Sequence, residues 1–78
     1  MGFCEDEDMV RVDFFRPGGK WYTTEAVRWL YYDDGMTVME TFKLSLKKHL
    51  NGRLDGMTAV CLEPYHVNAY PVMVTVGS

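Results

Sequence analysis

The chain predicts an α+β domain of β-β-α-β-β order, one helix packed on a four-stranded, largely antiparallel sheet. Three observations carry this reading. Two β-prone runs flank Pro17-Gly18-Gly19. A complete set of helix start, stripe and stop signals brackets residues 37 to 52. Two short apolar runs, at 57–62 and 72–76, follow the helix and are bounded by Gly and Pro. A ubiquitin-like β-grasp is the alternative, since it too begins with a hairpin followed by a helix.

The first strand covers residues 9 to 15. Val10, Val12 and Phe14 share one face, and Arg11, Asp13 and Phe15 share the other. The first set is expected to face the core. Pro17 then pre-sets φ for the first central position of a turn, and a glycine after it supplies positive φ. The second strand starts near Lys20. Trp21, Thr23 and Glu25 alternate with Tyr22, Thr24 and Ala26, residue types that suit a pleated, half-buried surface. Val27 to Tyr32 reads as strand or extended chain because β-branched and aromatic residues dominate, although a short helix from Thr24 also fits. Asp33-Asp34-Gly35 breaks the element.

Thr37 is a good N-cap, and Glu40 completes a capping box. Phe42, Leu46 and Leu50 recur every four residues and form an apolar stripe, extended by Val38 and Met39. Lys47, Lys48 and His49 lie in the last turn, where the helix dipole favours positive charge. Asn51-Gly52 supplies the stop. A competing reading makes Asp33-Asp34-Gly35 a hairpin turn and Met36 to Thr41 a strand. After the loop at 53–56, Met57 to Leu62 reads as a strand ended by Pro64, which lacks a ladder donor. Pro71 opens the last strand, Val72 to Val76.

With 78 residues there is room for one domain, placed at 9–76 behind an acidic tail at 1–8. Glu5-Asp6-Glu7-Asp8 reads as solvated, with contact to a basic partner as the sharper reading. Met1 is followed by Gly-Phe-Cys and these carboxylates rather than by a basic stretch and an apolar run, so no signal peptide is expected. No apolar run approaches the ~20 residues that span a bilayer. Cys4 and Cys61 are the only cysteines. A disulfide between them is formally open; reduced thiols and a cytoplasmic setting are the expectation, because Cys61 lies in an apolar run.

Residue constellations give little support to chemistry. Cys4, His49, Cys61 and His66 lack the close ligand spacing of a zinc knuckle. Cys61 and His66 lie close in sequence, yet Cys61 sits between Val60 and Leu62, not in the electropositive, partly exposed site that a nucleophilic thiol needs. Pro17-Gly18-Gly19-Lys20 leads into a strand, so no helix N-terminus points at a phosphate. The expectation is a protein that is not an enzyme, with no metal and no cofactor.

Binding is the better reading. Aromatic residues make up 14% of the chain, more than so small a core can hide, and aromatic side chains anchor protein interfaces. The contact residues expected are Trp21, Tyr22, Trp29, Tyr65, His66 and Tyr70. The last three sit on a segment stiffened by Pro64 and Pro71, with Asn68 between them; packing of both tyrosines over a hairpin edge is the plainer alternative. A homodimer through a sheet edge or the Trp21/Trp29 region is also expected to be open to this chain. Arg11, Arg16, Lys20 and Arg28, with the same rings, define a nucleic-acid alternative. The net charge of −3 weighs against broad phosphate binding.

The stretch Asp13-Phe-Phe-Arg-Pro-Gly-Gly-Lys-Trp-Tyr-Thr-Thr-Glu25 resembles the opening of a group of small bacteriophage proteins, especially from phages of actinobacteria. These share a Phe-(Arg/Lys)-Pro-x-Gly-Lys-(Trp/Tyr)-Tyr pattern. The resemblance covers about a sixth of the chain. Gly18 stands where that pattern more often has Ser. No catalytic residues transfer from it. It implies an accessory phage protein acting in the bacterial cytoplasm by binding and modulating a host protein, anti-defence inhibitors among the classes that fit.

Overall fold

The computed structural model describes residues 9–30, 35–61 and 72–77. The tail at 1–8, the aspartates at 33–34 and the Tyr65–Tyr70 segment lie outside the described residues, so expectations about them are not addressed by the fold.

The element order is β1 (Met9–Phe15), β2 (Tyr22–Arg28), α1 (Val38–Leu50), β3 (Thr58–Cys61) and β4 (Val72–Thr75). The four strands form one sheet in the order β2-β1-β3-β4, and every neighbouring pair is antiparallel. The expected β-β-α-β-β architecture is therefore the one observed. The β-grasp alternative does not apply, because that sheet centres on a parallel pair. Strands β2 and β3 run in the same direction with β1 between them. Parallel strands need a long crossover, and α1 is that crossover.

The turn between β1 and β2 forms as its residues dictate. Gly19 N–H donates to the Arg16 carbonyl at 3.0 Å, and Gly18 takes φ +69°, which follows Pro17 as a type II turn requires. Arg16 N–H closes the loop by donating to the Trp21 carbonyl at 3.1 Å. The ladder resumes only at Tyr22, paired with Phe15, so β2 begins two residues later than its composition suggests. Val27 and Arg28 continue β2, while Trp29 and Leu30 leave it. The short-helix alternative from Thr24 is excluded.

Helix α1 has both halves of its capping box. Glu40 N–H donates to Thr37 Oγ1 at 3.0 Å, and Thr37 N–H donates to Glu40 Oε1 at 2.9 Å. The reading of Met36 to Thr41 as a strand is overturned by this cap. Asn51 ends the helix in the left-handed region, its N–H donating to the Lys47 carbonyl at 3.1 Å.

One face of α1 lies on one face of the sheet. The core joins Val12 and Phe14 of β1, Val27 and Trp29, Phe42, Leu46 and Leu50 of α1, Ala59 and Cys61 of β3, and Val74 and Val76. Trp29 stacks on Phe42 with ring centroids 5.8 Å apart. The helix stripe differs from expectation at one end. Val38 packs against the core, but Met39 is exposed. Thr41 and Ser45, one turn apart, complete the buried face instead. Ser45 is tolerated there because its hydroxyl accepts the Leu30 N–H at 2.9 Å. Among the described residues no helix is long and apolar enough to cross a membrane.

Candidate interaction site

Strand alternation sorts the sheet into a helix-covered face and a helix-free face. Val12 and Phe14 point to the helix, so Arg11, Asp13 and Phe15 point away from it. Register carries the same assignment to the neighbours. Phe15 is opposite Tyr22 and Thr58, and Asp13 is opposite Thr24 and Val60, which in turn faces Met73. The helix-free face thus holds a pair of rings continued by Thr58 and Thr75, and beside it the row Thr24, Asp13, Val60 and Met73.

Phe15 and Tyr22 stack across β1 and β2, with centroids 5.8 Å apart and planes inclined by 24°. They remain 43% and 62% exposed, and Met73 on the same face is 56% exposed. Asp13 Oδ1 accepts a hydrogen bond from Thr24 Oγ1 at 2.7 Å, which fixes the carboxylate along the sheet. Arg11 lies one alternation further along β1, exposed and on the same face. The result is an aromatic and methionine patch bordered by one acid and one base, a composition typical of protein contact surfaces.

The expected contact residues separate into three groups. Tyr22 is on this face. Trp21, one residue earlier, falls on the other side and is 49% exposed. It lines a shallow pocket of about 320 Å³ with Pro17, Leu54 and Met57, at the foot of the helix. A single flat partner therefore meets Trp21 or Tyr22 but not both. Trp29 is corrected: it is only 2% exposed, and its ring is enclosed against Phe42 in the core. It contributes to folding, not to a surface, and it leaves the expected Trp21/Trp29 dimer contact without one of its two rings. Tyr65, His66 and Tyr70 lie outside the described residues. Phe15 and Met73 were missed as surface anchors. The alternation of β1 already put Phe15 opposite the core set, so that signal was present in the sequence. Nothing in the sequence told which strand would bring Met73 alongside.

On the helix-covered side, Glu25 ends in a three-residue cluster. Arg53 grips it with two hydrogen bonds, 3.1 Å to Oε1 and 3.2 Å to Oε2, and His49 Nε2 lies 2.9 Å from Oε1. The Arg53 hydrogen bonds, then that of His49, hold the Glu25 carboxyl below the usual glutamate range. Arg53 is correspondingly raised by Glu25. This cluster ties β2 to the C-terminal end of α1. Arg53 is well exposed, which limits how much the pair contributes to stability.

Cys61 is fully buried beside Val12 and Ala59, which removes its thiol from any surface chemistry in the folded chain. Among the described residues no group of three or more His, Cys, Asp and Glu side chains is arranged to hold a metal ion. Compared with protein-family models, curated proteins and solved structures, the chain matches none.

Proposed function

We propose that the chain is a non-catalytic protein-binding module whose contact surface is the helix-free face of the sheet. The observation that carries this reading is the Phe15–Tyr22 stack, left largely exposed at the hairpin end of that face, which also carries the exposed Met73 on β4. Rigid aromatic side chains lose little entropy on binding and supply large contact area, which is why they dominate interface energetics. The resemblance of residues 13–25 to bacteriophage proteins supports a bacterial host protein as the partner, in the cytoplasm, with inhibition or redirection of that protein as the outcome. Anti-defence inhibition is one such outcome. Pairing of the edge strands β2 and β4 between two copies is the homodimeric form of the same reading.

The test is affinity capture from nuclease-treated bacterial lysate, comparing wild type with a Phe15→Ser/Tyr22→Ser variant shown to be folded by circular dichroism. A host protein retained by the wild type and lost by the variant supports the proposal. Equal retention by both removes the sheet face from it. Light scattering over a range of concentrations separates self-association from binding of another chain.

A second reading has its own observation. Arg11 shares the helix-free face with the two stacked rings, a combination suited to single-stranded nucleic acid. A net charge of −3 and Asp13 on the same face weigh against it. Binding of labelled single-stranded DNA or RNA that weakens steeply with salt and with Arg11→Glu favours this second reading.

A further inference from the structure

A trough with a volume of about 510 Å³ runs between α1 and the end of the sheet at β4, away from the helix-free face. Its apolar lining comes from Leu44, Leu46 and Leu50 of the helix and from Val74 and Val76. Lys43 and Lys47 stand on its rim one helical turn apart, both exposed. Among the described residues neither lysine has an ion-pair partner. Asp55 lies at the other end of the trough, against Gly77.

We propose that this trough is a docking site for an extended peptide segment in which acidic and apolar residues alternate. Charge complementarity names the partner, and an extended segment fits the spacing of the two lysines. Side chains four apart on a helix lie about 6 Å from each other. Side chains two apart on an extended chain lie about 6–7 Å from each other and point the same way. Two carboxylates at alternate positions of such a segment thus meet Lys43 and Lys47 together. The residue between them points to the opposite side, across the trough toward Val74 and Val76. The proposal is independent of the sheet-face reading, since it uses a different surface and none of the same residues.

The experiment is fluorescence anisotropy with a labelled hexapeptide alternating glutamate and leucine, titrated with the full chain. Saturable binding is expected, weakening as salt is raised. Lys43→Glu/Lys47→Glu is expected to weaken it by about tenfold or more. Lys43→Gln/Lys47→Gln, which spares the end of the helix a reversed charge, is expected to weaken it by a smaller factor in the same direction. Leu44→Glu is expected to abolish it with both lysines in place. Arg11→Glu, on the other side of the sheet, is expected to leave it unchanged. The proposal is overturned by no binding to the wild type at millimolar protein. It is overturned equally by affinity unchanged in both lysine variants, or by equal affinity for a peptide with lysine in place of glutamate. Failure here leaves capture through Phe15 and Tyr22 untouched.

Discussion

The backbone amide of Leu30 donates to the hydroxyl of Ser45 at 2.9 Å, joining the segment that leaves β2 to the middle of α1. Ser45 is almost fully buried, in a helix position that apolar patterning alone assigns to a hydrophobic residue. The bond explains its presence, because it satisfies an amide that has just left the ladder.

Removing that hydroxyl leaves the amide without its partner. Ser45→Ala is expected to lower stability by about 1–3 kcal/mol, more than the size of the lost atom implies. Urea denaturation of the variant and wild type checks this; an unchanged midpoint shows that the bond contributes nothing net.

The two tryptophans are expected to behave oppositely. Trp29→Ala opens a cavity beside Phe42 and should cost about 3–5 kcal/mol. Trp21→Ala, at a half-exposed position, should cost about 1 kcal/mol or less. Acrylamide quenching gives a second check. The emission that remains in Trp29→Phe should be readily quenched, and that in Trp21→Phe should be protected.

Acid should loosen the link between β2 and the end of α1. Glu25 is held below its usual range by Arg53 and His49, so the folded state favours its charged form. That contribution is fully present above the unfolded glutamate pKa and is lost as pH falls through the lowered folded value. Glu25→Gln should therefore show a smaller loss of stability than wild type between pH 5 and acid conditions, and a lower stability at neutral pH. Parallel pH profiles of the two proteins would falsify the assignment.

Gly18 and Gly19 are adjacent but not equivalent. Gly18 has φ +69°, and Gly18→Ala is expected to cost about 1 kcal/mol through backbone strain. Gly19 is not in that region. A Cβ there meets only the flexible Arg16 side chain, at 3.0 Å from its Cδ. Gly19→Ala is expected to cost less, which thermal melts of the two variants will rank.

Much of the fold was legible in particular residues. The Thr37–Glu40 box and the Asn51 stop are local signals, so the helix ends fell where the sequence put them. The alternation in β1 gave its two faces, and Pro17-Gly18 gave the turn. What was not legible depends on partners distant in sequence. Val12 meets Cys61 and Phe14 meets Ala59 through a register no local pattern encodes. Trp29 has the composition of an interface residue, yet burial is set by Phe42 lying across from it. Met39 fits the helical stripe by periodicity but loses its place to Thr41 and Ser45. Trp21 and Tyr22, by contrast, are divided by an alternation that the sequence itself displays, so their placement on one contact surface was open to correction without the fold. The trough beside β4 exists only once α1 and the last strand are brought together.

The position of β1 between β2 and β3 has a kinetic consequence. The β1–β2 hairpin closes through a short turn, on a timescale of about 1–10 μs for hairpins in general. The β1–β3 pair must wait, because its partners are separated by the hairpin turn, β2 and the whole helix. Closing that long loop is the entropically expensive step, and it is rewarded only when Val12, Phe14, Ala59 and Cys61 meet under α1. The central seam of the sheet is thus the natural place for the rate-limiting barrier. Changes along it, and in the first hairpin that is already closed at that barrier, should slow folding, and changes in contacts made only afterwards should mainly alter how fast the finished protein comes apart.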